Sequence, residues 1–321
     1  MHSFQDLSTL FEKSFSVRHF PGEPASLYNS AQYILGLGGK RIRPILCLMA
    51  NELVNEIDPD TYHVANAIEL FHNFSLIHDD IMDKAPLRRG METVHMKFGE
   101  STALLSGDVM LVMAYDYLNK IKPLHLQKVI RLFNKTARQV CEGQQIDMDF
   151  EKAKQVSFTQ YVHMIELKTS VLLAASLQLG AILGGAGEGN QQHLYQFGKN
   201  LGIAFQVQDD YLDVFGDPKK FGKQQGGDIL ANKKTFLLIH ALEVANSEQL
   251  HTLENLLNRN DPDKVEKVIE LFKDCGVDDW AKELKQKYYQ QALYHLEEIA
   301  VLSIRKKPLA DLASFLMNRE F

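Results

Sequence analysis

Two stretches of this chain have the pattern Asp-Asp-x-x-Asp: Asp79-Asp80-Ile81-Met82-Asp83 and Asp209-Asp210-Tyr211-Leu212-Asp213. On a helix, residues four apart share a face, so Asp79 projects with Asp83 and Asp209 with Asp213. Like charges placed this way repel by ~0.2–0.5 kcal/mol on an isolated helix, a cost that a bound cation removes. Carboxylate oxygens suit a hard cation, and Mg²⁺ is usually held by one or two carboxylates together with substrate phosphates. Neither stretch has the Asp-x-Asp-x-Asp-Gly spacing of an EF-hand loop. Each ends an apolar segment, whereas a solvated acidic helix face has polar flanks. Either cluster alone can be read as a metal site or as a solvated face. Two together, with the basic residues around them, favour the metal.

Those basic residues fall into four groups. The segment Gly38-Gly39-Lys40-Arg41-Ile42-Arg43-Pro44 is not a P-loop, because Ile34 stands where the first glycine belongs and Arg41 follows the lysine. It also fails Gly-x-Gly-x-x-Gly, since Arg41 takes the last position. What remains is a glycine turn presenting three cations at the start of a helix, a setting suited to diphosphate. Arg88-Arg89-Gly90 follows Asp83 closely enough for a diphosphate to be gripped by metal on one side and guanidinium on the other. Lys168-Thr169 precedes a long apolar helix. Lys223 and Lys233 flank Gly226-Gly227 in a Gly- and Lys-rich stretch that reads as a mobile lid, having little to bury. Taken singly, each lysine reads as a surface residue. His72 is the better candidate ligand of its pair, while His78 is placed to orient or cap the neighbouring aspartates.

The elements that must carry these residues are helices. Apolar residues recur at three- and four-residue intervals in Tyr62–Ile81, Ala103–Asn119, Leu124–Phe150, Thr159–Leu183, Gln191–Val214 and Asp279–Val301. Breaks fall at Pro21-Gly22, Gly38-Gly39, Gly184-Gly185 and Gly226-Gly227, and no Pro/Ser-rich linker divides the chain. At ~11–12 residues per helix this is an all-α protein of roughly ten or more helices. A net charge of −6 argues against a general nucleic-acid binder, which needs surplus Lys and Arg to displace counterions. Cys47, Cys141 and Cys275 form neither a metal pair nor a disulfide framework. Met1 to Phe15 has no signal-peptide pattern. Val171 to Leu183 falls short of the ~20 residues a membrane span needs. The expectation is a soluble, cytoplasmic protein.

In this order, the motifs resemble the trans-type isoprenyl diphosphate synthases, which include the farnesyl and geranylgeranyl enzymes. The resemblance runs through Gly-Gly-Lys-Arg-Ile-Arg-Pro, His72, the first aspartate cluster with Arg88-Arg89-Gly90, and Gly107-Asp108. It continues through Gly143-Gln144-Gln145-Ile146-Asp147, Lys168-Thr169, Phe205-Gln206 with the second cluster, and Lys223 and Lys233. It implies a single domain over residues 1–321, an all-helical bundle around a deep central cavity, usually homodimeric. It implies three Mg²⁺ ions bridging an allylic diphosphate to the two clusters, with Asp79, Asp83 and Asp209 as ligands and Asp80, Asp210 and Asp213 acting through water or from behind. Lys40, Arg43, His72 and Arg89 would hold isopentenyl diphosphate. Arg88, Lys168, Thr169, Gln206, Lys223 and Lys233 would hold the allylic diphosphate. Isopentenyl diphosphate would add head to tail to the allylic cation, with released pyrophosphate taking the proton.

The helix entering Asp79 should set product length. Ser75 and Phe71, the fourth and eighth residues before Asp79, share a face, with Phe74 at its edge. By resemblance, Phe74 with small Ser75 and no insertion in the cluster fits a geranylgeranyl (C20) product. The alternative is a farnesyl (C15) product, with Phe71, one turn deeper, shortening the cavity. Core phenylalanines with no such role are the plain alternative. A class I terpene cyclase, or a non-catalytic subunit of a heteromeric synthase, is disfavoured by the intact second cluster and the Gly-Gly-Lys-Arg-Ile-Arg segment.

Overall fold

The computed structural model describes residues 1–216, 225–259 and 261–318. Its architecture is all-α, as the periodicity predicts. By their internal contacts the residues form two compact units. The first comprises Met1–Lys135, Ala175–Leu194 and Ala300–Pro308; the second comprises Thr136–Ala174, Tyr195–Ile299 and Leu309–Phe321.

The first unit is built on α1 (Phe4–Phe15), α2 (Ala25–Gly36), α3 (Ile42–Val54) and α4 (Pro59–Met82). After α4 come a two-residue-per-strand hairpin (Leu87–Arg88 with Met91–Glu92), α5 (Val94–Phe98), α6 (Glu100–Leu118) and the start of α7 (Pro123–Lys152). α4 is the central element, packing on α3 and α6. Val64, Ala65, Ala67, Ile68, Leu70 and Phe71 are all buried, and so are the polar Asn66, Glu69 and Asn73, so α4 is enclosed nearly all round. Asp58 caps its first turn and Pro59 opens it, a position where the missing amide N–H costs nothing. α1 begins at a Ser3/Asp6 capping box and buries Leu7, Phe11 and Phe15.

The second unit takes the rest of α7, then α8 (Phe158–Ile165), a π-helical turn (Glu166–Ser170) and the first residues of α9 (Val171–Leu183). It includes α10 (Glu188–Phe215) from Tyr195 onward, α11 (Gly227–Leu230), α12 (Phe236–Val244), α13 (Ser247–Leu257), α14 (Lys264–Asp274) and α15 (Val277–Glu297). The end of α16 (Ser303–Asn318) completes it. Its core gathers Tyr161, Ile203, Val207, Phe236, Leu253, Val268, Phe272 and Ala281.

One expectation changes. The apolar run is longer than Val171–Leu183: α8, the π turn and α9 are continuous over Phe158–Leu183, 26 residues, long and apolar enough to cross a membrane. Within its most apolar window 78% is buried inside the protein, as for a core helix. Cys47, Cys141 and Cys275 are free thiols.

Candidate active site

The first group of site residues gathers around the end of α4. Asp83 is its C-cap, and Lys84 follows with a φ of 52°. The Ala85 N–H donates to the Asp80 carbonyl and the Lys84 N–H to the Ile81 carbonyl, so α4 ends in a Schellman motif with lysine where glycine is usual. The chain doubles back into the hairpin, whose two-residue turn is Arg89-Gly90, with φ of 55° and 78°. Positive φ at both positions is what a type I′ turn requires. The reversal brings both arginines beside the helix end. Arg88 forks onto Asp80, Nε to Oδ2 at 2.8 Å and Nη2 to Oδ1 at 2.7 Å, and lies 3.6 Å from Asp79 Oδ2. Asp80 is only 2% exposed, so it serves Arg88, whereas Asp79 is half-buried and Asp83 exposed on the same face.

Arg89 reaches the glycine turn. Its Nη1 donates to the Gly38 carbonyl, and a Cβ on Gly39 would lie 2.9 Å from Nη2. With a φ of 143° as well, only glycine fits at residue 39. The three cations of this turn then separate. Lys40 is exposed, while Arg41 turns inward, 6% exposed: Nη1 donates to Glu69, Nε to Glu12 and Nη2 to the Leu35 carbonyl. Arg41 therefore ties α1, α2 and α4 together and does not present its charge to a ligand. Arg43 Nη1 donates to His72 Nε2 at 3.1 Å, and Arg43 Nε is buried without a hydrogen-bond partner among the described residues. Burial, and after it the Arg89 charge, pushes Arg43 down to about 10, so it stays charged at neutral pH. Burial and the surrounding arginines hold His72 well below the usual histidine range. A neutral ring accepting at Nε2 carries its proton on Nδ1.

His78 does not serve the aspartates. Its ring packs on Phe74 at 4.8 Å, and Nε2 faces the Leu104 carbonyl at 3.1 Å and Asp108 at 3.8 Å. On the length-setting stretch, Phe71 is 1% exposed in a run of rings: 5.5 Å to Phe74 and 5.4 Å to Phe133, which lies 5.4 Å from Tyr115. Phe74 and Ser75 are half-buried.

The second group lies on α7, the π turn and α10. Lys168 and Thr169 sit inside the π turn, a distortion often found at functional positions. Lys168 Nζ donates to Asp147 Oδ2 at 2.7 Å. Thr169 donates to Gln206 Oε1 at 3.3 Å, and Gln206 Nε2 donates to Asp210 Oδ1 at 2.9 Å. Tyr161 donates its hydroxyl to Asp210 Oδ2. Asp210, 5% exposed, is raised by burial against the pull of Lys233 and these hydrogen bonds, while Asp209 is half-buried. Beyond α10, the Gly226 N–H donates to the Asp213 carbonyl at 2.7 Å and the Asp228 N–H to Asp213 Oδ2 at 3.0 Å. The described part of the expected lid, residues 225–235, is thus bonded to the second cluster. Lys223 lies outside the described residues.

Sequence reasoning missed Tyr161 and Asp228 and gave Asp147 no role. Asp228 is raised to about 7 by burial and by Asp210, Asp213 and Asp147, with Lys233 opposing. Its one signal was its place directly after Gly226-Gly227.

Both clusters fit Mg²⁺ by donor chemistry. Each offers carboxylate oxygen, but no group of three or more Asp, Glu, His or Cys residues among the described residues is arranged to hold a metal ion by itself. A cation held here would have to draw its remaining ligands from substrate phosphate or water, as Mg²⁺ usually does.

The polyprenyl synthetase family model matches residues 24–275. The geranylgeranyl diphosphate synthase of Methanosarcina mazei is 36% identical over 93% of this chain and 91% of its own. The geranylgeranyl pyrophosphate synthase of Geoglobus acetivorans is 38% identical over 93% and 92%. A crystal structure of a geranylgeranyl pyrophosphate synthase superposes with a TM-score of 0.95 at 42% identity, covering 100% of both chains.

Proposed function

The chain belongs to the polyprenyl synthetase family and is a prenyltransferase of the trans-isoprenyl diphosphate synthase type; on that premise we propose that it makes geranylgeranyl diphosphate, by Mg²⁺-dependent head-to-tail condensation of isopentenyl diphosphate with an allylic diphosphate. In this reading the whole of residues 1–321 acts as one catalytic domain, homodimeric, soluble and cytoplasmic.

Asp79, Asp83 and Asp209 hold the metal, three ions in all, with Asp80, Asp210 and Asp213 behind them. Bound Mg²⁺ supplies Lewis-acid stabilisation of the charge on the departing pyrophosphate. Arg88, fixed in direction by its fork on Asp80, Lys168, Thr169, Gln206, Lys223 and Lys233 grip the allylic diphosphate, so stabilisation is aimed where charge develops. Lys40, Arg43 and Arg89 hold isopentenyl diphosphate, and neutral His72 offers it an N–H. Loss of pyrophosphate leaves an allylic cation, which the apolar side chains of the substrate chain's pocket must shield from water. The isopentenyl double bond attacks that cation, and the released pyrophosphate takes the proton.

The observation that carries the C20 reading is the contrast between two phenylalanines. Phe74 keeps an accessible face beside small Ser75, whereas Phe71 is sealed in its ring stack and has no free face with which to stop a chain earlier. Relatives named geranylgeranyl synthases support the same length. The test is incubation of the purified chain with isopentenyl diphosphate and dimethylallyl, geranyl or farnesyl diphosphate, with and without Mg²⁺. A C20 end product from each primer is expected. Termination at C15 defeats the length assignment, and condensation without Mg²⁺ defeats the metal's role.

A further inference from the structure

Lys264, in the first turn of α14, is 1% exposed, yet among the described residues its ammonium meets only uncharged groups. Its Nζ donates to Asn232 Oδ1 at 2.7 Å and approaches the Leu257 carbonyl at 3.5 Å, and Asn232 Nδ2 donates to that carbonyl at 3.0 Å. Leu257 ends α13, where unsatisfied carbonyls and the helix dipole favour a cation. That explains why the ammonium tolerates burial, but not why a lysine is there.

Its partner supplies the reason. Asn232 has a φ of 51°, a left-handed conformation that asparagine adopts more readily than most residues and that needs holding. Lys233 follows directly, its N–H donating to the Asp228 carbonyl at 2.9 Å to close α11. The next residue of α14 fixes the other end of this segment. Gly226 has a φ of 75°, and a Cβ there would lie 2.4 Å from Val265 Cγ1. The first two residues of α14, Lys264 and Val265, therefore abut both ends of the segment that carries Asp228 and Lys233 and is bonded to Asp213.

We propose that Lys264 is a positioning residue for the reaction: through Asn232 it fixes the Gly226–Lys233 segment on the second aspartate cluster and so sets where Lys233 meets the allylic diphosphate. This rests on the reading of Lys233 as an allylic-diphosphate ligand. Lys264 itself touches no substrate.

The test compares Lys264→Met, Asn232→Gly, their double variant and Lys233→Ala, each assayed for both substrates. Asn232 is exposed and glycine keeps the left-handed turn, and a urea titration of each variant separates loss of folded protein from a change in KM. Lys264→Met and Asn232→Gly should each raise the allylic KM about 3- to 10-fold, the scale of one buried hydrogen bond, with the isopentenyl diphosphate KM unchanged. The double variant should match the single ones, because both act through one contact. Amides 226–233 should exchange hydrogen faster in both single variants. A merely structural lysine would lower kcat through loss of folded protein and leave both KM values alone, and that result overturns the proposal. So does an unchanged allylic KM in Asn232→Gly. If Lys233→Ala raises the allylic KM while the other variants do not, only the positioning role fails. If Lys233→Ala changes nothing, the assignment of Lys233 fails, and the proposal with it.

Discussion

At the scale of single residues, side chains of one type divide by what they touch. Phe71 and Phe74 are three apart, but only the first is sealed, so the two should respond differently to truncation. Phe71→Ala empties a fully packed ring site and should cost on the order of 3–5 kcal/mol with the end product unchanged. Phe74→Ala should unfold less easily than that and should lengthen the end product beyond C20. Urea titration alongside chain-length analysis of radiolabelled products reads both effects, and an unchanged length in Phe74→Ala removes its role as floor. His72 gives a pH signature. Its folded form resists protonation because burial and the flanking arginines disfavour the cation, whereas the unfolded chain titrates near 6.5. Below that value the unfolded state binds more protons, so this contribution to stability is complete above pH 6.5 and is lost as the pH falls. The urea midpoint should therefore drop between about pH 7 and about pH 5, and less steeply in His72→Asn. Parallel curves for the two proteins would show that the ring is not held neutral.

At the scale of elements, the long helices were legible because apolar periodicity reports burial directly. Tyr62–Ile81 read from the pattern became Pro59–Met82, and Leu124–Phe150 became Pro123–Lys152. The aspartate pairs were legible for the same reason, since i and i+4 share a face whatever the helix packs against. Local backbone departures were not. The π turn at Glu166–Ser170 leaves the apolar pattern of its helix uninterrupted, and the hairpin strands of two residues are too short to alternate. Its turn is Arg89-Gly90, where a hairpin signal would be Asn-Gly or Asp-Gly. Tyr161 and Asp210 meet across 49 residues, a distance that no local spacing encodes. Arg41 shows the same limit: within Lys40-Arg41-Ile42-Arg43 nothing marks the middle cation as the buried one. Its contacts to Glu12, Glu69 and the Leu35 carbonyl hold three helices around the glycine turn. Arg41→Met leaves Glu69 buried without its cation and should cost about 3–5 kcal/mol. Because Lys40 and Arg43 flank it, the KM for isopentenyl diphosphate should rise more than that for the allylic substrate. Equal shifts in both would show that the network supports the fold without shaping that turn.

At the scale of the whole molecule, what remains to be explained is apolar surface. α6 buries Ala103, Ser106, Gly107, Met110 and Ala114 on one side, yet Leu104, Leu105 and Val112 on the other are 50%, 55% and 57% exposed. Leu105 and Val112, seven residues apart, lie on one stripe, with Leu104 at its edge. A single exposed leucine needs no explanation, but a stripe along one helix is the kind of surface that association covers. A second copy of the chain is the simplest cover, since a two-fold axis lets the same stripe serve both sides. The homodimer of the proposed reading should then form through α6. Sedimentation should give twice the 36.5 kDa chain mass, and Leu105→Glu with Val112→Glu should shift it toward the single-chain value. These side chains lie outside the core, so the variant's melting temperature at high dilution should match that of the parent. A parent protein that sediments as 36.5 kDa at micromolar concentration would rule out the dimer, and a dimer unaffected by both glutamates would place its interface elsewhere.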